Sequence, residues 1–391
     1  MEDLLYQYNP WWEGQAAVNP EIKPRQAYMR RIKPHLDGRP IIILTGLRRA
    51  GKTTLMKLII GDLLKNGVAP EYILYASLDD YMLRKNSVIE IINEYRKIHK
   101  IKMDEKIFLF LDEVAAKKDF HIQLKNIYDS QNAKIVAASS SASMLRDPKA
   151  RLTGRSVTLE IKPLDMEEYL FFKEIEIKKR DRQLLKSYFL DYIKDGGLPE
   201  NVLNPSREYL VNLVDDIIQK DIAAFYGVKN PQVLRDYFTL LMERSGKQAS
   251  VNKISNILGI SPDTSKRYLH YFQSAYLVHM IPRWGKTNQK ILSAKKIYAA
   301  DLGIKHLFVG QRDIGSYFEN YIHQLMRDRQ RLYYLYENGA EIDFYTEDGL
   351  LIESKFYASL NPKQEKLFFE YPAKKRFLID SIEKTGALND L

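Results

Sequence analysis

The run Ile-Ile-Ile-Leu-Thr-Gly-Leu-Arg-Arg-Ala-Gly-Lys-Thr-Thr, from Ile41 to Thr54, limits the fold of this chain more than any other stretch. Its first residues are an apolar, β-branched run that reads as a buried strand. A glycine-rich turn follows, and then Leu55, Leu58, Ile59 and Leu63 recur with a helical period. Strand, turn and helix in this order make a P-loop. Gly46 and Gly51 free the backbone to aim successive N–H groups at phosphate oxygens, Lys52 can reach the β- and γ-phosphates, and the Thr53 hydroxyl can hold Mg²⁺. The whole turn, Gly46, Leu47, Arg48, Arg49, Ala50, Gly51, Lys52, Thr53 and Thr54, is expected to wrap the nucleotide. A chance Gly-Lys-Thr in a loop would lack the strand before it and the helix after it.

Further apolar runs extend the pattern into a parallel sheet. Tyr72 to Leu78 reads as a second strand ending at Asp79-Asp80, and Ile107 to Leu111 as a third that runs directly into Asp112-Glu113. An apolar strand ending in Asp-Glu one strand after a P-loop is the Walker B pattern. Asp112 is expected to hold Mg²⁺ through water, and Glu113 to polarise the attacking water as catalytic base. That pairing points to ATP hydrolysis rather than to a GTP switch or small-molecule phosphoryl transfer. A fourth strand, Lys134 to Ala138, ends in Ser139-Ser140-Ser141 and would lie beside both elements if it inserts between them. A hydroxyl there either senses the γ-phosphate or caps a helix over Ala142 to Leu145. Val157 to Ile161 is the fifth strand. Before the P-loop, Trp11, Trp12 and a helical stretch from Arg25 to Leu36 form an arm expected to pack on the ATPase body.

At 391 residues the chain is too long for one compact core, and about two or three domains are expected. The absence of cysteine excludes disulfides, thiol catalysis and cysteine-ligated zinc. With neither a signal-like N-terminus nor a membrane-length apolar run, the expectation is a soluble, cytoplasmic protein without a membrane partner. Lys and Arg number 60 against 50 Asp and Glu, giving a net charge of +10, which favours a polyanionic partner.

Read in order, the P-loop, Asp79-Asp80, Leu111-Asp112-Glu113-Val114, Ser139 to Ser143, Thr153-Gly154-Arg155, Pro163 to Tyr169 and Gly196 to Glu200 resemble prokaryotic, archaeal-type AAA-type P-loop ATPases. These are fused to a DUF-type C-terminal region with a winged helix and a PD-(D/E)XK-like domain. The resemblance implies that Ser140 is a sensor and that Gly197-Leu198-Pro199 is a lid element, with Pro199 against the nucleotide base. It implies that Arg155 meets the γ-phosphate or a neighbouring subunit, with an ordinary surface arginine as the alternative. The family more often has Thr-Gly-Ser where this chain has Ala138-Ser139-Ser140.

Three short helices are expected next, Val233 to Glu243, Ser250 to Leu258 and Pro262 to Leu277, with Ser250 and Ser261 as N-caps and Gly259 ending the middle one. With the strand-like Val278 to Ile281 they describe a winged helix-turn-helix. Lys247, Lys253, Lys266, Arg267, Arg283, Lys286, Lys290, Lys295 and Lys296 face one acidic residue, Asp263, across this region. The expected DNA contacts are Thr264, Lys266, Arg267, His270, Arg283 and Lys286. Use of the winged helix for protein contact is the alternative.

The last third carries Glu319 on a helix, Asp343 on a strand and Glu353-Ser354-Lys355 on the next, the Asp and Glu-x-Lys arrangement of PD-(D/E)XK nucleases. Asp343, Glu353 and Glu319 would hold Mg²⁺ or Mn²⁺, with Asp343, Glu353 and Lys355 catalytic. If Glu347-Asp348-Gly349 is a three-residue loop, Asp343 stands opposite Glu353; a two-residue loop would destroy the site. The same register sets Glu341 against Lys355, which alone would be an ordinary surface ion pair.

The reading is therefore an α/β chain in five parts. An N-terminal arm (1–35) precedes a five-stranded parallel P-loop core of ASCE/AAA type (36–165) and a helical lid (166–228). A winged helix (229–285) and a restriction-endonuclease-like α/β domain (286–391) follow. The expected function is an Mg-ATP-dependent ATPase that binds DNA and cleaves it. The alternatives are an ATP-gated DNA-binding or STAND-like signalling switch whose nuclease fold is inactive, and a scaffold recruiting a protein partner. Expected ligands are ATP and Mg²⁺; expected partners are DNA and further copies of the chain.

Overall fold

The computed structural model describes residues 1–19, 21–140, 152 and 154–388. The expected helix from Ala142 to Leu145, Ser141 and Thr153 lie outside the described residues. The chain forms two units, Met1–Lys162 and Pro163–Leu391.

The first unit is built on β1 (Ile41–Thr45), β2 (Ile73–Ser77), β3 (Ile107–Asp112), β4 (Ala133–Ala138) and β5 (Ser156–Glu160). They form one parallel sheet in the order β2-β3-β4-β1-β5. Every residue of β1 and β3 is buried, as befits parallel strands covered on both faces by helices. Those helices are α1 (Glu2–Tyr8), α2 (Gln26–Leu36), α3 (Lys52–Lys65), α4 (Val88–His99) and α5 (Phe120–Ser130). Insertion of β4 between the other two strands, with Val136 pairing both Ile42 and Phe110, brings the C-terminal ends of β1, β3 and β4 to one edge. The N-terminal arm closes the β2 edge by side chains. Asn9 accepts from the Tyr75 N–H at 2.6 Å and donates to its carbonyl at 2.9 Å, and the Trp11 and Trp12 indoles both donate to the Ile73 carbonyl. Trp12 also stacks on Tyr95 of α4.

In the second unit, α6 (Met166–Phe172), α7 (Leu185–Asp195), α8 (Pro199–Leu203) and α9 (Arg207–Asp216) lead through a π-helical turn, Ile217–Ala224, to α10 (Pro231–Glu243). Then come β6 (Lys247–Ala249), α11 (Val251–Leu258), α12 (Pro262–Ser274), β7 (Val278–Ile281), α13 (Thr287–Leu292) and β8 (Lys295–Ala299). These three strands pair antiparallel in the order β6-β8-β7, so the small sheet needs a strand well past residue 285. The expected caps are present. Ser250 and Ser261 accept from Lys253 and Thr264, and Gly259 ends α11 at φ 62°. Helix α12 stops at Ser274, short of the expected Leu277.

Helices α14 (Leu302–Val309), α15 (Ile314–Met326) and α16 (Pro362–Glu370) accompany β9 (Leu332–Glu337), β10 (Ala340–Thr346), β11 (Leu350–Ser354) and β12 (Lys375–Ile379). The sheet order is β12-β11-β10-β9, with β11 and β12 parallel and the other pairs antiparallel. Phe344 pairs with Ile352 and Tyr345 with Leu351, the register of a three-residue loop, and Gly349 is left-handed at φ 88°. The segment expected as an ATPase lid packs instead into the core of this unit. Phe189 meets Phe318 at 5.8 Å and Tyr192 meets Tyr321 at 5.8 Å, rings too large and apolar to be left on a hinged flap.

Candidate functional site

At the edge where β1 ends, Gly46 and Gly51 take φ 127° and 96°, and Arg49 joins them at 68°. A Cβ on Gly46 would lie 2.2 Å from the Ile161 carbonyl oxygen, so glycine is required there by close approach to the strand beside it. Lys52 is buried at the start of α3, its ammonium donating to the Gly46 and Leu47 carbonyls at 2.9 and 3.0 Å. The loop is thus a cradle of backbone N–H groups with its own cation folded across it. Leu47 and Ala50 are buried beneath this cradle, whereas Arg48 and Thr54 are half-buried and Arg49 and Thr53 exposed.

Thr53 Oγ1 donates to Asp112 Oδ2 at 2.5 Å, joining the P-loop helix to the end of β3. Tyr75 donates to the same oxygen at 3.1 Å, and burial, followed by the Asp112 charge, keeps its phenol far from ionising. Glu113 sits in the left-handed region at φ 46°, an uncommon backbone for a residue with a Cβ and one associated with functional sites. Its Oε2 accepts from the Ser140 hydroxyl at 3.1 Å and N–H at 3.3 Å. Burial raises the Glu113 pKa and the Asp112 charge adds to this, while Lys52 and the Ser140 bonds pull the other way. From the N-terminal arm, buried Arg25 donates to Ala50 O at 3.2 Å and Lys162 O at 2.6 Å, pinning the P-loop turn. Neither Tyr75 nor Arg25 was singled out in the sequence. A tyrosine in an apolar strand reads as core, and an arginine at the start of an expected helix reads as surface.

One expected nucleotide contact, Arg155, is placed away from the P-loop. Arg155 precedes β5, whose Ser156 pairs with Ile41 at the start of β1. It therefore lies at the opposite end of the sheet from the P-loop, about 15 Å of strand away, where it pairs with Asp129 at 3.1 Å and lies over Tyr128. A γ-phosphate contact within the same chain is ruled out by that polarity. Pro199 begins α8 in the second unit, behind a Gly196-Gly197 turn held from within that unit. Asp301 Oδ2 accepts from Gly197 N at 2.6 Å, and Oδ1 from Ile304 N at 2.9 Å. A Cβ on Gly196 would lie 2.4 Å from Asp301 Oδ1. The glycines thus serve close packing around a buried carboxylate, whose pKa burial raises to about 6.

The second unit also gathers Glu319, Asp343, Glu353 and Lys355. A register shift between Ile342 and Tyr345 marks a bulge on β10 at Asp343, the kind of irregularity that re-aims a side chain. Asp343 Oδ2 accepts from Ser354 Oγ at 2.5 Å and Ser354 N at 3.1 Å, and Glu353 Oε2 accepts from Asp343 N at 2.9 Å. Lys355 bonds Glu353 Oε1 at 2.7 Å, not Glu341 as the register alone implied. Glu341 pairs instead with Lys296, a residue that the sequence placed on a phosphate-facing surface. Lys296 is fully buried on β8, and its ammonium lies 2.5 Å from Glu319, 2.7 Å from Glu341 and 3.1 Å from Asp343. Burial works to lower the Lys296 pKa, but these carboxylates outweigh it and hold it well above the ordinary lysine value. Burial raises Glu319 to about 7 and Glu353 to about 8, Asp343 adding to both.

The oxygens needed for a divalent ion are thus already engaged. Asp343 Oδ1 accepts from Lys296, Glu319 Oε1 from Lys296 and from Tyr298 at 2.7 Å, and Glu353 Oε1 from Lys355 and from Gln364 at 3.2 Å. Among the described residues, no group of three acidic or histidine side chains is open to hold a metal ion as it stands. The residues present do not fit the expected nuclease metal.

The basic segment is similarly divided. Lys247 pairs with Asp313, Arg283 lies over Tyr336, Lys290 over Trp284, and Lys295 donates to the Lys290 carbonyl. Arg283 is thereby half-buried against β9 rather than offered to a ligand. Lys253, Lys266, Arg267, His270 and Lys286 remain exposed, three of them on α12. Thr264 takes part in the N-cap of α12, its hydroxyl 2.9 Å from that of Ser261.

A family model described as an AAA domain matches residues 38–170, and one described as a domain of unknown function (DUF8612) matches residues 183–314. The chain is similar to an uncharacterized protein of Methanocaldococcus jannaschii, 26% identical over 92% of this chain and 84% of that one. It is also similar to an uncharacterized protein of Haemophilus influenzae, 26% identical over 77% of each chain. Among solved structures it is similar to AMPPCP-bound DnaA from Aquifex aeolicus, 18% identical, covering 66% of this chain and 92% of that one, with a TM-score of 0.31. The chain carries an AAA-type P-loop ATPase-like domain followed by a region matching a domain of unknown function.

Proposed function

We propose that the chain is an Mg-ATP hydrolase that works as an ATP-gated DNA-binding switch. The observation that carries the first half is the 2.5 Å bond from Thr53 to Asp112 beside a glycine-shaped cradle, with Glu113 one residue along. Thr53 and Asp112 would hold Mg²⁺, and bound Mg²⁺ supplies charge neutralisation across the β- and γ-phosphates. Backbone N–H groups from Gly46 to Thr54 bind the phosphates, and Lys52 turns from its loop carbonyls to the β- and γ-oxygens. Glu113, released from Ser140, orients water, and Ser140 then faces the γ-phosphate. The test is steady ATP turnover by the purified chain with Mg²⁺ and its loss on chelation; absence of turnover with and without DNA refutes this half.

Tyr75 is a positioning residue in this scheme. Tyr75→Phe removes one hydrogen bond to Asp112, worth about 1 kcal/mol. The Mg²⁺ concentration for half-maximal turnover should rise roughly fivefold while ATP binding without metal stays unchanged. An unchanged Mg²⁺ dependence refutes the role.

The second half rests on reading helices α10 to α12 with the β6-β8-β7 sheet as a winged helix. What supports that reading is that α12 presents Lys266, Arg267 and His270 to solvent. An exposed helix with clustered cations suits phosphate and major-groove contact. Replacing Lys266 and Arg267 together by Ala should weaken duplex binding irrespective of sequence and flatten the log–log salt slope by about two. Unchanged binding across salt concentrations would favour a protein partner for this face. Cleavage is not part of the proposal. β10 and β11 carry the restriction-endonuclease-like order of residues, but their carboxylates are engaged by lysines. Linear, branched and supercoiled DNA should survive Mg²⁺ or Mn²⁺ intact, with or without ATP.

A further inference from the structure

The ammonium of Lys296 is used by neither the nucleotide reading nor the DNA reading, and it is fully buried among carboxylates of the second unit. A lysine carries three N–H donors and no acceptor. Here three carboxylates, Glu319, Glu341 and Asp343, stand within 2.5 to 3.1 Å of Nζ, one for each donor. They come from α15 and from two positions on β10, whereas Lys296 sits on the middle strand of the β6-β8-β7 sheet, paired with both Gln248 and Ile281. Its backbone is therefore fixed on two sides, and its side chain is 0% exposed. Gln248 of β6 extends the same joint with a bond to Glu341 at 2.6 Å.

We propose that Lys296 is the resident cation of this cluster, taking the place that a divalent ion would have, and that the cluster is an ionic joint between the two sheets. Two of the three expected metal ligands, Glu319 and Asp343, are the ones that Lys296 holds, and the third, Glu353, is held by Lys355. An entering divalent ion would meet an ammonium about 3 Å from the same oxygens, with strong repulsion at that range in a poorly screened interior. Displacing the ammonium would leave it buried without its partners, a strongly unfavourable outcome. Removing the ammonium has the opposite effect. It leaves three oxygen donors facing one point, the donor type that Mg²⁺ and Mn²⁺ prefer. The inference does not depend on nucleotide hydrolysis.

The experiment titrates Mn²⁺ into the full chain without nucleotide, reading free Mn²⁺ by electron paramagnetic resonance and stability by thermal melting. An Asp112→Asn background silences the P-loop position. In that background, the chain and its Asp343→Asn derivative should bind Mn²⁺ equally weakly, and neither should melt higher with the metal. Lys296→Met should melt lower than its parent in metal-free buffer, bind one Mn²⁺ about tenfold or more tightly, and regain stability with it. Adding Asp343→Asn to Lys296→Met should abolish that gain. A parent that binds one Mn²⁺ lost in Asp343→Asn overturns the proposal, as does a folded Lys296→Met that gains no Mn²⁺. If Lys296→Met does not fold, the comparison of the parent with Asp343→Asn decides alone.

Discussion

Glu113→Gln is expected to bind ATP as wild type does and to lower turnover by roughly a hundredfold or more, whereas Lys52→Ala is expected to lose nucleotide binding outright. The two side chains share an edge of the sheet but have different work. The ammonium of Lys52 is 2.9 and 3.0 Å from carbonyls of the loop that would cradle phosphate, so its loss removes charge where the ground state is held. Glu113 touches Ser140 and follows Asp112, within a residue of the expected metal but outside the cradle. Glutamine preserves its shape and its bonds to Ser140 but cannot accept a proton. Because burial raises the Glu113 pKa, wild-type turnover should climb with pH as this carboxyl ionises, and Glu113→Gln should lose that limb. Nucleotide binding measured with a fluorescent ATP analogue, beside phosphate release, separates the two variants. Wild-type turnover in Glu113→Gln would sink the assignment of the base.

Asp301→Ala should cost the second unit about 3 kcal/mol at pH 5, because it strands buried N–H groups of Gly197, Gly303 and Ile304. The pH dependence has a definite sign. Burial raises Asp301 from 3.8 to about 6, so the folded state holds this proton more tightly than the unfolded chain. Stability from this group is full below pH 3.8 and falls as pH rises through 6, by about 3 kcal/mol in all. The gap between wild type and Asp301→Ala should therefore narrow from pH 5 to pH 7.5 in urea unfolding. A gap that widens would mean that the backbone donors, rather than burial, dominate this carboxylate.

The parallel core was legible because strands covered on both faces are unbroken apolar runs, and three of them lead into residues of the expected site: the Gly46–Thr54 turn after β1, Asp112 and Glu113 at the end of β3, and Ser140 after β4. The hairpin at Gly349 was legible for a related reason. A period of two leaves one register that sets Asp343 opposite Glu353, and a left-handed glycine selects it. What stayed hidden depended on direction or on partners distant in sequence. Arg155 was set near the γ-phosphate or a neighbouring subunit by the family resemblance alone. It precedes a parallel strand, and residues before such strands lie at the far end of the sheet. Lys296 looked like one cation in a basic run, since its carboxylates come from residues 319, 341 and 343, and Lys295 beside it is bound quite differently. Gly197 was read by resemblance as part of a lid element, and only the fold shows that its N–H donates to the carboxylate of Asp301.

The way the N-terminal arm meets β2 sets a limit on how this protein can be cut. β2 is the terminal strand of the parallel sheet, and one such margin offers a template on which another chain can polymerise. Asn9 satisfies both polar groups of Tyr75, and two indoles donate to the Ile73 carbonyl, so the margin is covered by three side chains that cannot themselves be extended by a further strand. A fragment trimmed to begin at residue 38, where the AAA-domain match starts, would lose that seal along with the grip of Arg25 on the P-loop. Such a fragment should be prone to filament formation and slow in phosphate chemistry, although it would keep every motif that defines its enzymology.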